Sequence, residues 1–350
     1  MNAGRRVAFS HFLVFSFSDR TDSYDLPSND KFEALRDLAV DRAKQNEDRI
    51  KALTRTLILC GSKQVGKTTM LNSLLDRNLP VRPTLALEYS FGRKLNRDGV
   101  KDTCNFWELG GGTTFSAVIP QLIITPLKER RTVSVAIILD LHKPSQIWLT
   151  LDKFMKTINT CMKQYAEEYP DQYNAIYAKR MNKFLSAHPD HPDKDCMDVT
   201  ALKTHIIGGR YDEFQNFDPE KKKIICRTLR SAALIYGSSL HFLSTVEGAL
   251  IKRGRDVLHY AGFEFNPPGS VCVDHNAPLS IPPGFDSLKD IGAVSGRSFH
   301  SVKNELEQYF SSHFPQVEEE NLEPEDPSAH VSFKEPHLDF ILKRKRREIV

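Results

Sequence analysis

The segment GSKQVGKT, Gly61 to Thr68, spaces two glycines, a lysine and a threonine as G-x-x-x-x-G-K-T, and every residue type in it suits the holding of phosphate. Gly61 and Gly66 permit backbone conformations closed to residues with a side chain, so successive N–H groups can turn inward. Ser62, Lys63, Gln64 and Val65 contribute those donors. The helix opening at Lys67, Thr68 and Thr69 adds its positive end, completing an anion site. Lys67 can reach β- and γ-phosphates, and the Thr68 hydroxyl can ligate magnesium. The apolar run TLILC before the loop and the amphipathic stretch after it supply the strand–loop–helix setting that this motif requires. A glycine-rich turn with an incidental Lys-Thr is the bland alternative.

Further along, FWELGGG, Phe106 to Gly112, ends a candidate strand. GTP hydrolases place D-x-x-G there, the acid touching magnesium through water and the glycine N–H touching the γ-phosphate. Glu108 stands at the acidic position and Gly111 at the glycine. Gly112 falls where a glutamine would orient the attacking water, and a glycine has no side chain to do so. Thr84, in RPTLALEYSFGR, is either the threonine that closes over magnesium or a strand-edge threonine after proline. In IIGGRYDEF, Asp212 stands where the aspartate of N-K-x-D accepts two N–H bonds from guanine. Gly209 and Arg210 replace the Asn and Lys; a guanidinium can still lie flat against a purine. Ser244 and Thr245 follow the next strand, where a serine-alanine pair closes a guanine pocket.

The groups that grip phosphate are thus intact, and those that position water and select the base are eroded. Positioned water and an arginine finger contribute factors of roughly 10³–10⁵ in rate, so hydrolysis is expected to be very slow. The expected ligand is a guanine nucleotide, GDP or GTP, with magnesium held by Thr68, Thr84 and Glu108, and its role is structural. A ligand that binds only the folded state stabilises it by about 4 kcal/mol at a thousand-fold excess over Kd. An active regulatory GTPase with divergent switch motifs is the alternative. A small-molecule kinase would need an arginine-rich lid, for which Arg130–Arg131 is a candidate that a surface turn explains more simply.

These residues need a scaffold, and the sequence outlines one. Buried-strand candidates are Thr56–Cys60, Leu85–Ser90, Asn105–Leu109, Val133–Leu141, Thr204–Ile207 and Leu240–Leu243. Helical stretches at Lys67–Asp76, Ser145–Tyr169, Asp171–Ala187, Pro219–Tyr236 and Val246–Tyr260 separate most of them. Alternation of this kind predicts a mostly parallel six-stranded sheet with helices on both faces. Residues 29–54 read as an N-terminal helix with Phe32, Leu35, Leu38 and Ala39 at helical spacing, preceded by a poorly ordered extension at 1–28. The phosphate-binding domain spans 55–261. Residues 262–310 form an extended, proline-rich wrapping segment with a short helix, and 311–350 an acidic linker and basic tail. In that tail Leu338, Phe340, Ile341 and Leu342 precede five basic residues, which suits either a docking helix or a frayed end.

Composition narrows the class. A formal charge of +3 on 350 residues gives no support for nucleic-acid binding. No apolar run approaches the roughly 20 residues that span a bilayer, and serines and His11 interrupt the signal-like stretch from Val7 to Phe17. Six scattered cysteines without a CxxC pair suit reduced thiols of an intracellular protein. HPDHPDKD, His188 to Asp195, reads as a solvated turn in preference to a metal site.

Together, ILCGSKQVGKTT, PTLALEYSFGRK, FWELGGG and IIGGRYDEF resemble the light intermediate chains of cytoplasmic dynein, above all those of the dynein 2 branch. LALEY followed by FWELGGG is the more diagnostic part, because it marks departures from ordinary GTPases. The similarity runs from about Arg55 to Ile291 and includes SVCVDHNAPL and GFDSLKDIG. It implies a Ras-like P-loop NTPase fold used as a scaffold on the tail of the dynein 2 heavy chain, beside other dynein 2 subunits. It also implies only indirect contact with microtubules, and a place in the cytoplasm and cilium in retrograde intraflagellar transport.

Overall fold

The computed structural model describes residues 36–38, 40–42, 54–95, 101–264, 267, 269–292, 294, 296–318 and 335–349. Residues 36–38 and 40–42 are helical and belong to a unit ending at Asp48; everything from Arg49 onward forms a second unit. The expected N-terminal extension, most of the 29–54 helix and most of the acidic linker lie outside the described residues.

The second unit is built on the continuous apolar runs. β1 (Thr54–Gly61), β4 (Thr132–Asp140) and β5 (Lys203–Gly209) are almost wholly buried, as strands covered on both faces must be. β3 (Lys101–Leu109) and β6 (Ser239–Phe242) join them in parallel, while β2 (Leu87–Leu95) lies antiparallel at one edge. The order is β2-β3-β1-β4-β5-β6-β7, the Ras-like arrangement plus one strand. The extra strand, β7 (Ser280–Ile281), is a two-residue antiparallel pairing on β6, too short to show alternation in a sequence. The chain leaves β1 toward β3 on one side and β4 on the other. The carboxyl end of β1 is therefore the switch point where open α/β sheets bind ligands.

Two cores form, one on each sheet face. α1 (Lys67–Leu74) supplies Met70 and Leu71 to the smaller, together with Val257 and Leu258. The larger gathers α2 (Ile119–Lys128) and α3 (Pro144–Glu168), the latter burying Ile147, Leu151, Phe154, Ile158, Met162 and Tyr165 down one face. α2 has no counterpart in the sequence reading. Pro120 is tolerated in its first turn and Pro126 sits inside it, where proline normally argues against a helix. α4 (Pro170–Ala187) follows α3, the short α5 (Tyr211–Phe214) follows β5, and α6 (Pro219–Ile235) precedes β6. α6 is capped by the Asp218 carboxylate, which accepts from the Glu220 and Lys221 amides. α7 (Gly248–Phe263) completes the smaller core.

Beyond α7 the chain runs through β7 and then α8 (Leu288–Ile291), a single turn. The helix after it, α9 (Phe299–His313), has fifteen residues and is not a short one; Val302, Leu306 and Phe310 bury its inner face. The wrap is fastened by HPDHPDKD. His188 Nε2 pairs with the Pro283 carbonyl at 3.0 Å, His191 Nε2 with the Asp286 carbonyl at 2.8 Å, and the Asp193 carboxylate accepts from the Leu288 amide at 2.8 Å. The stretch is a staple, and among the described residues no cluster of three potential metal-ligating His, Cys, Asp or Glu exists.

Arg230 of α6 grips Asp286 with a fork, Nε to Oδ2 at 2.9 Å and Nη2 to Oδ1 at 2.5 Å, both side chains being largely buried. Removing one partner strands the other's charge. Asp286→Ala is therefore expected to cost about 3 kcal/mol, read as a lowered urea midpoint. A loss under 1 kcal/mol would mean that the wrap is held by its apolar contacts alone.

α3 lacks a capping side chain of its own at Lys143. Gln316 braces its first turns from the far end of the chain: its Oε1 accepts from the Trp148 and Leu149 amides at 3.0 and 3.4 Å, and its Nε2 donates to the Pro144 carbonyl at 3.0 Å. The Val317 amide then bonds the Ser145 carbonyl. The tail segment Pro336–Ile349 is helical (α10), with Leu338, Phe340 and Leu342 exposed. Among the described residues no helix is long and apolar enough to cross a membrane.

Candidate functional site

At the carboxyl end of β1 the chain turns through Gly61 (φ 124°), Gln64 (φ 53°) and Gly66 (φ 95°) before α1 begins. Left-handed conformations at these points fold the loop back on itself. The Ser62 amide donates to the Ile138 carbonyl at 2.8 Å, and its hydroxyl accepts from the Asp140 amide at 3.1 Å. Lys67 is buried, with Nζ donating to the Ser62 carbonyl at 2.7 Å, so its ammonium lies across the loop. No side chain caps the first turn of α1, and the first amides of a helix have no partner within it, the arrangement that suits an anion.

The residues expected to meet magnesium converge from three segments. Thr68 Oγ1 donates to Glu108 Oε1 at 2.6 Å and Thr84 Oγ1 does so at 3.0 Å; the two hydroxyls are 3.4 Å apart. Thr84 is held there because its strand-edge segment runs over Gly110. A Cβ on Gly110 would stand 2.1 Å from the Thr84 carbonyl oxygen, and the Gly110 amide bonds the Ala86 carbonyl. Glu108 is buried and its Oε2 has no hydrogen-bond partner. Burial pushes its carboxyl pKa up, outweighing the Thr68 hydrogen bond, the Lys67 ammonium and the Thr84 hydrogen bond that act the other way.

A carboxyl with a folded-state pKa above its unfolded value favours the fold when protonated. That contribution is complete below the unfolded value of about 4.3 and is lost as pH rises through the folded value. Glu108→Gln removes the ionisation. Without magnesium the variant is expected to melt higher than the parent at pH 7. Its magnesium-dependent nucleotide affinity is expected to fall by about 10–100-fold. Melts in chelator and nucleotide titrations in magnesium check both signs; an unchanged affinity would remove Glu108 from the metal site.

The base-reading candidates also assemble here. Arg210, itself left-handed (φ 57°), donates through Nη2 to the Gln64 carbonyl at 3.1 Å. Asp212 Oδ1 accepts from the Ser244 hydroxyl at 2.5 Å, which fixes the carboxylate at the pocket's edge. Thr245 packs against the loop, its Cγ2 lying 2.9 Å from where a Cβ on Gly66 would stand. The erosion at Gly209 has a packing reason: a Cβ there would meet Val65 Cγ2 at 2.6 Å, so loop and strand interlock where an asparagine would not fit.

Asp140 belongs to the site although the sequence reading passes over it. It is buried at the end of β4, with Oδ2 3.6 Å from Arg210 Nη1 and Oδ1 accepting from the His142 amide. Burial raises its pKa and Arg210 opposes this. A signal was present in the ionisable residue closing the apolar run TVSVAIILD.

The donor set fits a nucleotide with magnesium. The uncapped loop amides and Lys67 suit phosphate. The Thr68 and Thr84 hydroxyls suit a hard cation, whose water shell would also give the orphaned Glu108 oxygen a partner. Arg210, Asp212 and Ser244 line the base side.

No protein-family profile matches the chain. Cytoplasmic dynein 2 light intermediate chain 1 of Rattus norvegicus is 34% identical over 305 residues, spanning 84% of this chain and 86% of the relative. The Homo sapiens protein of that name is 34% identical over 301 residues, spanning 83% and 84%. The chain belongs to the cytoplasmic dynein 2 light intermediate chain family. The Danio rerio family member, 34% identical over 306 residues and 84% of each chain, agrees. A crystal structure of the dynein light intermediate chain's conserved domain aligns with a TM-score of 0.55 over 76% of this chain and 94% of that one, at 15% identity. That likeness bears on fold alone, and it accords with the Ras-like arrangement described above. The resemblance carried by LALEY and FWELGGG is borne out. In this family member those two peptides meet where the Gly110 amide bonds the Ala86 carbonyl, and the second carries Glu108.

Proposed function

We propose that this light intermediate chain holds guanine nucleotide and magnesium as a structural ligand and turns it over negligibly. In this reading it is a rigid subunit that binds the heavy-chain tail of the dynein 2 motor and stabilises it for retrograde intraflagellar transport and cilium assembly. Its place is the cytoplasm and cilium, and it meets microtubules only through the heavy chain.

The observation that carries the nucleotide part is the meeting of Thr68, Thr84 and Glu108 on one carboxylate oxygen, beside an uncapped helix and a lysine folded over the loop. Gly112, at the position of the water-orienting glutamine, supports slow turnover. The subunit role rests on family membership.

Mass spectrometry of the natively purified chain and its complexes tests both parts. Bound guanine nucleotide at near-stoichiometric level, together with a dynein heavy chain, is the expected result. Multiple-turnover hydrolysis, alone or with an activating protein supplying an arginine, would replace this reading with that of a regulatory GTPase. Absence of nucleotide, with no change of melting temperature on adding it, would remove the ligand.

A further inference from the structure

At the opposite end of the strands, where β4 and β5 begin, a cavity of about 550 Å³ opens between α4, the α2–β4 turn and the sheet. Six basic residues line it: Arg130, Arg131, Lys179, Arg180, Lys183 and Lys203. They come from three separate elements. Arg131 is paired with Glu129 at 2.6 Å, and Lys203 touches Glu264, which also takes Arg55. Among the described residues no carboxylate is in ion-pair contact with Arg130, Lys179, Arg180 or Lys183, although Asp171 also lines the cavity. Arg180 is the deepest. Its Nη2 donates to the Gly237 carbonyl at 2.6 Å, its Nε is buried without a partner, and burial lowers its pKa. The crowding also shows at Lys203. Burial first, then Lys183, Arg180, Arg55 and Lys179, push its ammonium down to about 7.

We propose that this cavity is a second anion site, for a small polyol bearing two or more phosphate groups. Charge selects that class. Four unmatched cations balance two phosphate monoesters, each carrying about −1.5 to −2 at pH 7, whereas one carboxylate would leave most of the repulsion standing. Arg130 and Arg180 offer planar forks suited to phosphate oxygens, with Lys179 and Lys183 as point charges one helical turn apart. The volume suits a ligand of that size, and Val133 and Ile176 give the polyol body an apolar wall. The acidic stretch of this chain's own linker is a poor occupant. Val317 is bonded to Ser145 at the start of α3, and the 25 residues of that helix place its far end, beside the cavity, roughly 37 Å away at 1.5 Å per residue. Glu325, eight residues on from Val317, reaches at most about 28 Å.

The phosphates can belong to a free polyol or to a lipid headgroup. Calorimetry of the full-length chain with inositol 1,4,5-trisphosphate, and flotation with vesicles carrying bisphosphorylated phosphatidylinositol, separate the two. Binding of the soluble probe identifies a free polyol phosphate, and binding of vesicles alone identifies a lipid. The double variant Lys179→Gln/Lys183→Gln, both side chains being exposed, is expected to melt as the parent does and to bind about tenfold or more weakly. Lys67→Ala is expected to leave this binding intact, which separates it from the phosphate loop. Failure of both probes, equal binding by the double variant, or tighter binding of a poly-glutamate peptide than of the trisphosphate would each overturn the proposal.

Discussion

Gly61→Ala is expected to yield no stably folded protein. A Cβ at Gly61 would stand 1.9 Å from the Ile138 carbonyl oxygen, a main-chain atom of the central strand that cannot swing aside. That oxygen also accepts the Ser62 amide, so displacing β4 breaks the bond that seats the loop. The residue's φ of 124° adds strain for any side chain. Clash, lost pairing and strain act at one point, so the cost should exceed about 5 kcal/mol, within the 5–15 kcal/mol that holds a typical domain together. Soluble yield and circular dichroism are the first readouts. A variant that stays folded and unfolds in urea near the parent midpoint would mean that the two strands can separate locally, and the described register would be wrong there.

Lys67→Ala is the second large effect, and it falls on the ligand more than on the fold. Without nucleotide the variant loses the Nζ bond to the Ser62 carbonyl, a cost of about 1–2 kcal/mol. With nucleotide present at a thousand-fold excess over the parent's Kd, the parent gains about 4 kcal/mol by mass action. The variant is expected to gain little, because the ammonium that meets the β- and γ-phosphates is gone. The diagnostic quantity is the shift in melting temperature on adding GDP and magnesium, measured for each protein against its own ligand-free state, so that the intrinsic cost cancels. Equal shifts would mean that the nucleotide, if it binds, binds elsewhere.

The parts of this architecture that were legible in the sequence are the local ones. TVSVAIILD announces a central strand because nine consecutive residues carry the signal. The phosphate loop announces itself because its glycines, lysine and threonine are contiguous. Glu108 is legible from its place at the end of a strand, while Thr84 stays open between a magnesium-closing and a strand-edge role; the structure brings Thr84 and Thr68 onto one Glu108 oxygen. What stayed hidden depends on distance along the chain or on residues that mislead. Pro120 and Pro126 disguise α2. Asp140 and Arg210 meet only because β4 and β5 are neighbours in the sheet. Arg130 and Arg131 read as a surface turn until α4 sets three more cations opposite them. The fork between Arg230 and Asp286 needed both the α6 register and the path of the wrap.

Gln316 also decides where the rest of the polypeptide sets out. Because its amide is clamped to the start of α3, the chain at this point lies at the nucleotide end of the sheet. From Val317 to Glu335 the backbone can extend at most about 65 Å, so α10 begins within that distance of the first turn of α3. That reach exceeds the roughly 37 Å length of α3, so the exposed leucines and phenylalanine of the terminal helix are tethered at the nucleotide pole without being confined to it.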